Sequence, residues 1–179
     1  MNGLLIIPEC YVDTCLIETI TNCYNQFNHQ KGCSQVAKVM QVKLNHGFAL
    51  GIIDKDKHEI VYIKEFDLLA SKGSLFLYKH KTNPHYILQI YPAIEKFFLK
   101  AANEKGINIA DYGLPTDFKI LKKVTKSMAD KNEENFKKLK RLFKDLADAS
   151  ELSILANLIL YMGDKTYNVN VSTLKKFLE

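Results

Sequence analysis

The sequence lacks any run of about 18 consecutive apolar residues, which is the length that a membrane-spanning helix requires. Its apolar start, MNGLLIIPE, has no basic leader and reaches the charged Glu9 almost at once. The cysteines number four, lie in the first fifth of the chain and include no CxxC pair. This usage favours reduced thiols over a disulfide framework. We therefore expect a soluble, cytoplasmic protein without a membrane partner.

Three common nucleotide-binding and catalytic motifs are also absent. The chain contains no GxGxxG, no GxxxxGK[ST] and no GxSxG, so dinucleotide-binding, P-loop and serine-hydrolase functions lack their local signatures. With 179 residues and 47% apolar content, the chain can fill a hydrophobic core of ordinary size. These properties predict a folded domain, alone or with an appended helical lobe.

The hydrophobic pattern predicts an α/β fold. Two apolar runs, GLLIIPE and FALGIID, have the composition of buried strands, and helical periodicity lies between them. Such a crossover implies a parallel strand pair, so we expect a mainly parallel sheet flanked by helices. Further strands are predicted at EIVYIKEF, SLFLYKHK and HYILQIYP, the last two separated by a turn at Thr82-Asn83-Pro84.

The second half of the chain has mostly helical periodicity. PAIEKFFLKAANEKG carries apolar residues at helical spacing, and most of the chain after Asp117 continues in that pattern. The glycine and proline of Tyr112-Gly113-Leu114-Pro115 interrupt it. We therefore predict an α/β domain over residues 1–112 and a lysine-rich helical lobe over residues 113–179.

Acidic residues stand where predicted strands end and helices begin. Glu9 ends the first strand, Asp13 opens the next helix, and Asp54 and Asp56 end the second strand. Glu95 lies one turn inside a later helix. Because ligands of open parallel sheets bind beyond the carboxyl ends of the strands, these side chains are expected to share one crevice.

Carboxylates gathered in one crevice repel one another unless a cation is present, and oxygen ligands favour Mg²⁺ or Mn²⁺ over zinc. Such an ion can activate water and stabilise the leaving oxygen of a phosphodiester. The sequence Asp-Lys-Asp-Lys is, however, equally typical of a surface turn between two strands.

The same residues resemble the Toprim family. LLIIPECYVDTCLIETI resembles the first strand and helix of a Toprim domain, GIIDKDK its DxD motif, and YPAIEKFFL the segment with a further glutamate in the nuclease-type branch, which includes the overcoming-lysogenization-defect nucleases. The resemblance covers about Gly3 to Ala102 with a gap. It implies catalytic and metal-binding roles for Glu9, Asp54 and Asp56, a further metal-binding position at Glu95, and Mg²⁺ or Mn²⁺ as the metal. Asp13 is a secondary acidic position.

A basic segment follows this region. Between Lys119 and Lys144 the chain has ten basic residues and three acidic ones. Such a segment can attract nucleic acid, or it can be a solvated helix face. The residues predicted to contact the phosphodiester backbone are Lys122, Lys123, Lys126, Lys137, Lys138 and Arg141.

The leading hypothesis is therefore a metal-dependent nuclease or phosphodiester hydrolase that acts on nucleic acid, with a protein partner or a second copy of the chain as a further expectation. An inactive Toprim-like module for interaction or nucleic-acid binding is the alternative, since Cys10 replaces the usual glycine after the glutamate. A phosphatase or nucleotide-processing enzyme would need a closed pocket instead. Weaker candidates are a thiol nucleophile at Cys10, and His80 and His85 beside a turn.

Overall fold

The computed structural model describes residues 3–55, 61–128 and 133–179. Within these residues the strands are β1 (Ile6–Pro8), β2 (Ala49–Asp54), β3 (Phe66–Lys72), β4 (Leu75–His80) and β5 (His85–Ile90). They form one sheet in the order β1-β2-β5-β4-β3. The predicted α/β class is confirmed.

The sheet is mixed, so the prediction of a mainly parallel sheet is wrong. β2 pairs in parallel with β1 on one side and with β5 on the other. β4 pairs antiparallel with both β5 and β3. The reason is local, because short turns join β3 to β4 and β4 to β5, and a short turn reverses the chain direction. Gly73, with φ of 55°, lies in the first of these turns.

One predicted strand is displaced along the chain. EIVYIKEF was expected to be extended, but Val61–Glu65 form a 3₁₀ helix and β3 begins at Phe66. Glu59 and Ile60 of that prediction lie outside the described residues. β3 is an edge strand whose side chains are mostly exposed or half-buried, so it lacks the apolar alternation that identifies a strand in a sequence.

Helices cover both faces of the sheet. The α-helices within the described ranges are α1 (Tyr11–Thr21), α2 (Cys33–Lys38), α3 (Ile94–Glu104), α4 (Phe118–Ser127), α5 (Glu134–Leu146), α6 (Ser150–Lys165) and α7 (Val171–Phe177). α2 continues directly into a π-helical turn, Val39–Lys43, and further 3₁₀ turns cover Gly3–Leu5, Ile109–Tyr112 and Thr166–Asn168. No helix in this part of the chain is long and apolar enough to cross a membrane.

Successive side chains of β2 point to opposite faces of the sheet, so the core has two parts. Leu50 and Ile52 pack in the larger cluster, which joins the sheet to α1, α3, α4, α5, α6 and α7. Ala49 and Ile53 pack in a smaller cluster on the other face, with α2 and the π-helical turn. The C-terminal helices α5 and α6 pack directly against α1. The boundary at residues 112/113 stays a prediction.

Two histidines are buried at the end of the sheet where β5 begins. His85 Nε2 contacts the carbonyl oxygen of Leu44 at 3.0 Å, and its Nδ1 lies 2.6 Å from the Tyr62 hydroxyl. His80 Nδ1 accepts hydrogen bonds from two backbone N–H groups of the following turn and therefore carries no proton. Both residues lie within the core, at the opposite end of β5 from Ile90. They are structural, and neither faces the crevice that the sequence predicts.

The pH dependence of stability tests the burial of His85. Burial lowers the pKa of His85 below its ordinary value of about 6.5, with the neighbouring His80 as a further cause. Below about pH 6.5, His85 takes up a proton in the unfolded chain more readily than in the folded chain. The free energy of unfolding is therefore expected to fall as the pH drops. Denaturant unfolding of His85→Asn between about pH 7.5 and 5.5 should show a shallower decline than the unmodified chain.

The matched control is the exposed His46, replaced in the same way. His46→Asn should retain the full decline because its side chain is solvated in both states. If the free energy of unfolding of His85→Asn falls with pH as steeply as that of the unmodified chain, the attribution of this pH dependence to His85 is contradicted. This holds whatever the absolute stability of the variant.

Candidate active site

A cleft of about 460 Å³ lies at the carboxyl ends of the three parallel strands. Glu9 follows β1, Asp54 ends β2, and Pro92 follows β5, and all three line the cleft. The walls come from the start of α1, the segment before α2, the start of α3 and the last turns of α4. Parallel pairing of β1, β2 and β5 brings these ends to one edge of the sheet, as the sequence predicts.

Glu9 and Asp54 are held together by the backbone. The N–H of Asp54 donates a 3.0 Å hydrogen bond to Glu9 Oε2, and the N–H of Glu9 donates to the carbonyl oxygen of Ile52 at 3.0 Å. Asp54 Oδ1 in turn accepts from the N–H of Ile94, the first residue of α3, at 2.9 Å. Each carboxylate therefore has one oxygen fixed by a backbone donor, which orients the group.

Glu95 also belongs to the cleft. It lies in the first turn of α3 and its side chain is only 4% exposed. Thr125 of α4 donates a 2.6 Å hydrogen bond to Glu95 Oε1. This bond ties α4 to the start of α3, so two helices that are distant in sequence close one side of the cleft.

Asp13 lies behind this wall and does not line the cleft. Its Oδ2 accepts a 3.0 Å hydrogen bond from the N–H of Cys10 and completes a capping box at the start of α1. Its side chain is 2% exposed, and Oδ1 has no hydrogen-bond partner within the described residues. Burial raises the pKa of Asp13, and the charges of Asp54 and Glu9 raise it further. The acidic groups thus repel one another, as the sequence predicts.

The surroundings of Cys10 do not favour a thiolate. Burial and the negative charge of Asp13 raise the pKa of Cys10, although its position at the start of a helix could have lowered it. A thiol held in its neutral form is a poor nucleophile. The lowered pKa on which a reactive Cys10 would depend is therefore not found.

Sequence reasoning missed the histidine of the cleft. Residues 28–32 run along the outer edge of β1, where the N–H groups of Asn28 and Gln30 donate to the carbonyl oxygens of Ile6 and Pro8, each at 3.0 Å. This pairing places His29 in the cleft. The segment NQFNHQKGCS is polar and paired on one side only, so its pattern resembles a loop.

The contacts of His29 fix its neutral tautomer. Its ring stacks on Tyr11 with centroids 4.1 Å apart, and Nδ1 lies 3.1 Å from the Thr14 hydroxyl oxygen. Thr14 donates its single hydroxyl proton to the carbonyl oxygen of Cys10 at 2.8 Å. His29 Nδ1 must therefore be the donor to Thr14, which leaves the lone pair of the neutral ring on Nε2. Nε2 is itself buried, so this nitrogen is not open to the solvent of the cleft.

The predicted basic residues fall into two groups. Lys122 and Lys126 of α4 line the cleft together with Lys31, and Lys123 lines a shallow groove beside it. Lys137, Lys138 and Arg141 lie on α5 and do not line the cleft. Lys138 contacts Glu134 on its own helix, at an Nζ–Oε1 distance of 3.7 Å. The structure thus brings only part of the basic segment to the acidic groups.

Of the DKDK sequence, the structure describes only Asp54 and Lys55. The ammonium group of Lys55 lies 5.3 Å from the ring centroids of both Phe76 and Tyr91. Asp56, predicted as a catalytic and metal-binding residue, lies outside the described residues together with Lys57. The prediction for Asp56 therefore stays a prediction.

The donor set can be compared with what a divalent metal requires. Within residues 3–55, 61–128 and 133–179, no group of three or more His, Cys, Asp or Glu side chains is arranged to hold a metal ion. Mg²⁺ does not need such a cage, because it commonly takes one or two protein carboxylates and completes its shell with water and substrate phosphate. Glu9 and Asp54 provide two oxygen-donor groups in a cleft, so they fit this open type of site and not a closed structural one.

Comparison of the chain with protein-family models, with curated proteins and with solved structures finds no match.

The buried charge of Asp13 leads to a stability prediction. Because the folded-state pKa is raised, stability present below the ordinary Asp value of about 4 is lost as pH rises through the folded pKa. Asp13→Asn keeps an oxygen for the Cys10 N–H and removes the charge. Its thermal midpoint should therefore exceed that of the unmodified chain near pH 8, and the gain should shrink toward pH 4.

Asp111→Asn supplies the control, since it makes the same change at an exposed position. It should change the free energy of unfolding by no more than about 0.5 kcal/mol at every pH and so leave the midpoint nearly unchanged. A gain in Asp13→Asn that does not vary with pH would contradict the electrostatic origin.

Proposed function

We propose that the chain is a Toprim-like phosphodiester hydrolase that acts on nucleic acid with Mg²⁺ or Mn²⁺. The observation that carries this proposal is the junction of Glu9 and Asp54, joined through a 3.0 Å hydrogen bond at the carboxyl ends of adjacent parallel strands. These are two of the acidic positions that the Toprim resemblance assigns to the metal and to catalysis. The junction lies in a cleft that also receives lysines from α4.

Glu9 and Asp54 are the residues that would hold the metal, with Glu95 nearby and Asp56 as a further ligand in the Toprim assignment. When bound, the ion supplies charge stabilisation for the phosphodiester and acidifies water for attack. The backbone hydrogen bonds to Glu9 and Asp54 restrict their rotation, so the pair is oriented before any ligand arrives.

Other groups of the cleft are suited to bind phosphate and to accept a proton. Lys31, Lys122 and Lys126 provide positive charge for the non-bridging oxygens of a phosphate. Glu9 is the group that can accept a proton from an attacking water, because it lines the cleft beside Asp54. Acidic and basic groups in one cleft suit a ligand composed of a metal ion and a phosphate together.

The alternative is a catalytically inactive Toprim-like module that binds nucleic acid or a protein. It is favoured by the lack of a three-ligand group within the described parts of the chain and by Cys10 at the position where Toprim proteins usually have glycine. In this alternative the lysines of α4 retain their role, whereas the carboxylates serve only to fix the strand ends and the start of α3.

Cleavage of labelled nucleic acid distinguishes the two. Purified protein is incubated with single-stranded DNA, duplex DNA or RNA in Mg²⁺ or Mn²⁺, beside Asp54→Asn. The variant keeps an oxygen acceptor for the Ile94 N–H and loses the ligand charge. We expect metal-dependent cleavage that drops by at least about 100-fold in the variant, since loss of even outer-shell partners of a metal costs 10–100-fold.

The control is Asp67→Asn, which removes a carboxylate that is 76% exposed on the distant edge strand β3. Its cleavage rate should equal that of the unmodified protein. Equal rates for Asp54→Asn and Asp67→Asn, or no cleavage by any of the three proteins, would favour the inactive module.

A further inference from the structure

The cleft has the size of a small-molecule site. Its volume of about 460 Å³ falls in the range of about 300–1,000 Å³ for such sites. Glu95, on its wall, is 4% exposed and accepts a hydrogen bond from the Thr125 hydroxyl, whereas Glu9 and Asp54 are half-buried. A single nucleotide fits a space of this size. A base that is paired and stacked within a duplex has to be unstacked before its nucleotide can enter such a cavity, at a cost of a few kcal/mol.

A basic stripe leads away from the cleft along α4. The spacing of Lys119, Lys122, Lys123 and Lys126 places all four ammonium groups on one side of the helix. With Phe118 and Ser127 they line a shallow groove, and Lys122 and Lys126 line both this groove and the cleft. The groove and the cleft are therefore continuous through two shared lysines.

The length of this stripe matches a short stretch of extended strand. From Lys119 to Lys126 the helix rises about 10 Å, at about 1.5 Å per residue. The stripe ends at Phe118, where Lys96 of α3 adds a fifth ammonium group 5.7 Å from the ring centroid. An aromatic ring beside a row of cations is the combination that single-strand binding surfaces use for stacking and for phosphate contact.

We propose that the cleft and the α4 groove together bind single-stranded nucleic acid, with one unpaired nucleotide in the cleft and the adjoining phosphates along Lys119, Lys122, Lys123 and Lys126. This inference extends the proposed function and depends on it only for the cleavage chemistry. The selectivity for unpaired strands comes from the size of the cleft, which admits one nucleotide. Duplex of the same sequence lacks an unpaired nucleotide that can enter.

The test measures binding apart from cleavage. Fluorescence anisotropy with Asp54→Asn protein in Mg²⁺ compares a 12-nucleotide single strand, as DNA and as RNA, with its blunt duplex. At least one single strand should bind 10-fold or more tightly than duplex. Adding Lys119→Gln and Lys123→Gln should reduce the salt dependence, lowering the slope of log K against log salt by about 1.4, or about 0.7 for each lost contact.

Lys144→Gln with Lys176→Gln is the charge-matched control, because both lysines are exposed, on α5 and α7, and line neither the groove nor the cleft. It should leave the single-strand preference and most of the salt slope intact. Equal affinity for duplex, or an equal loss in this control, would overturn the inference.

Failure of this inference can be told apart from failure of the proposed hydrolysis. Tight single-strand binding without cleavage by the unmodified protein supports the binding groove and removes the hydrolase. Asp54-dependent cleavage of duplex, with no preference for single strands, supports the hydrolase and overturns the groove.

Discussion

The parallel pairing of β2 with β1 and with β5 is the constraint on which the candidate site depends. It brings Glu9, Asp54 and the start of α3 to one edge of the sheet, although they are distant in sequence. The backbone at that edge then orients the side chains, since the N–H of Asp54 holds Glu9 and the N–H of Ile94 is held by Asp54. A shift of β2 by one residue would turn Leu50 and Ile52 out of the larger core cluster, so packing fixes the register that forms the site.

The carboxylates at this edge of the sheet repel one another, and this repulsion is relevant to function. Asp13 is buried near Asp54 and Glu9, and its pKa is raised by that burial and by their charges. Folded proteins seldom keep mutually repelling carboxylates unless a cation or a proton offsets them. Lysines from α4 enter the same cleft from the other side, which makes the site a place where a cation and an anion can be bound together. This pairing of charges is a second support, beside the junction of Glu9 and Asp54, for the proposed metal-assisted reaction on phosphodiesters.

Much of this arrangement was predictable from the sequence, and the exceptions have physical reasons. The strands at GLLIIPE and FALGIID and the grouping of Glu9 with Asp54 follow from apolar runs that end in a carboxylate. The mixed sheet was missed for two reasons. The predicted turn at Thr82-Asn83-Pro84 was not interpreted as a reversal between β4 and β5, and the turn at Gly73 lies beside an exposed edge strand with little apolar pattern. His29 was missed because its segment is held by one-sided backbone pairing, which leaves no periodic signal. The position of α4 over the cleft depends on tertiary packing and on the bond between Thr125 and Glu95, neither of which a local pattern specifies.

The central claim is that Glu9 and Asp54 bind a divalent metal. Electron paramagnetic resonance of Mn²⁺ tests it directly, because bound and free Mn²⁺ give different signals and no substrate is needed. Titration of the unmodified protein is compared with that of a Glu9→Gln/Asp54→Asn double variant, after circular dichroism has established that both are folded. The account predicts that the unmodified protein binds Mn²⁺ and that the double variant loses this binding. Equal binding by the two proteins, or no binding by the unmodified protein, would contradict it.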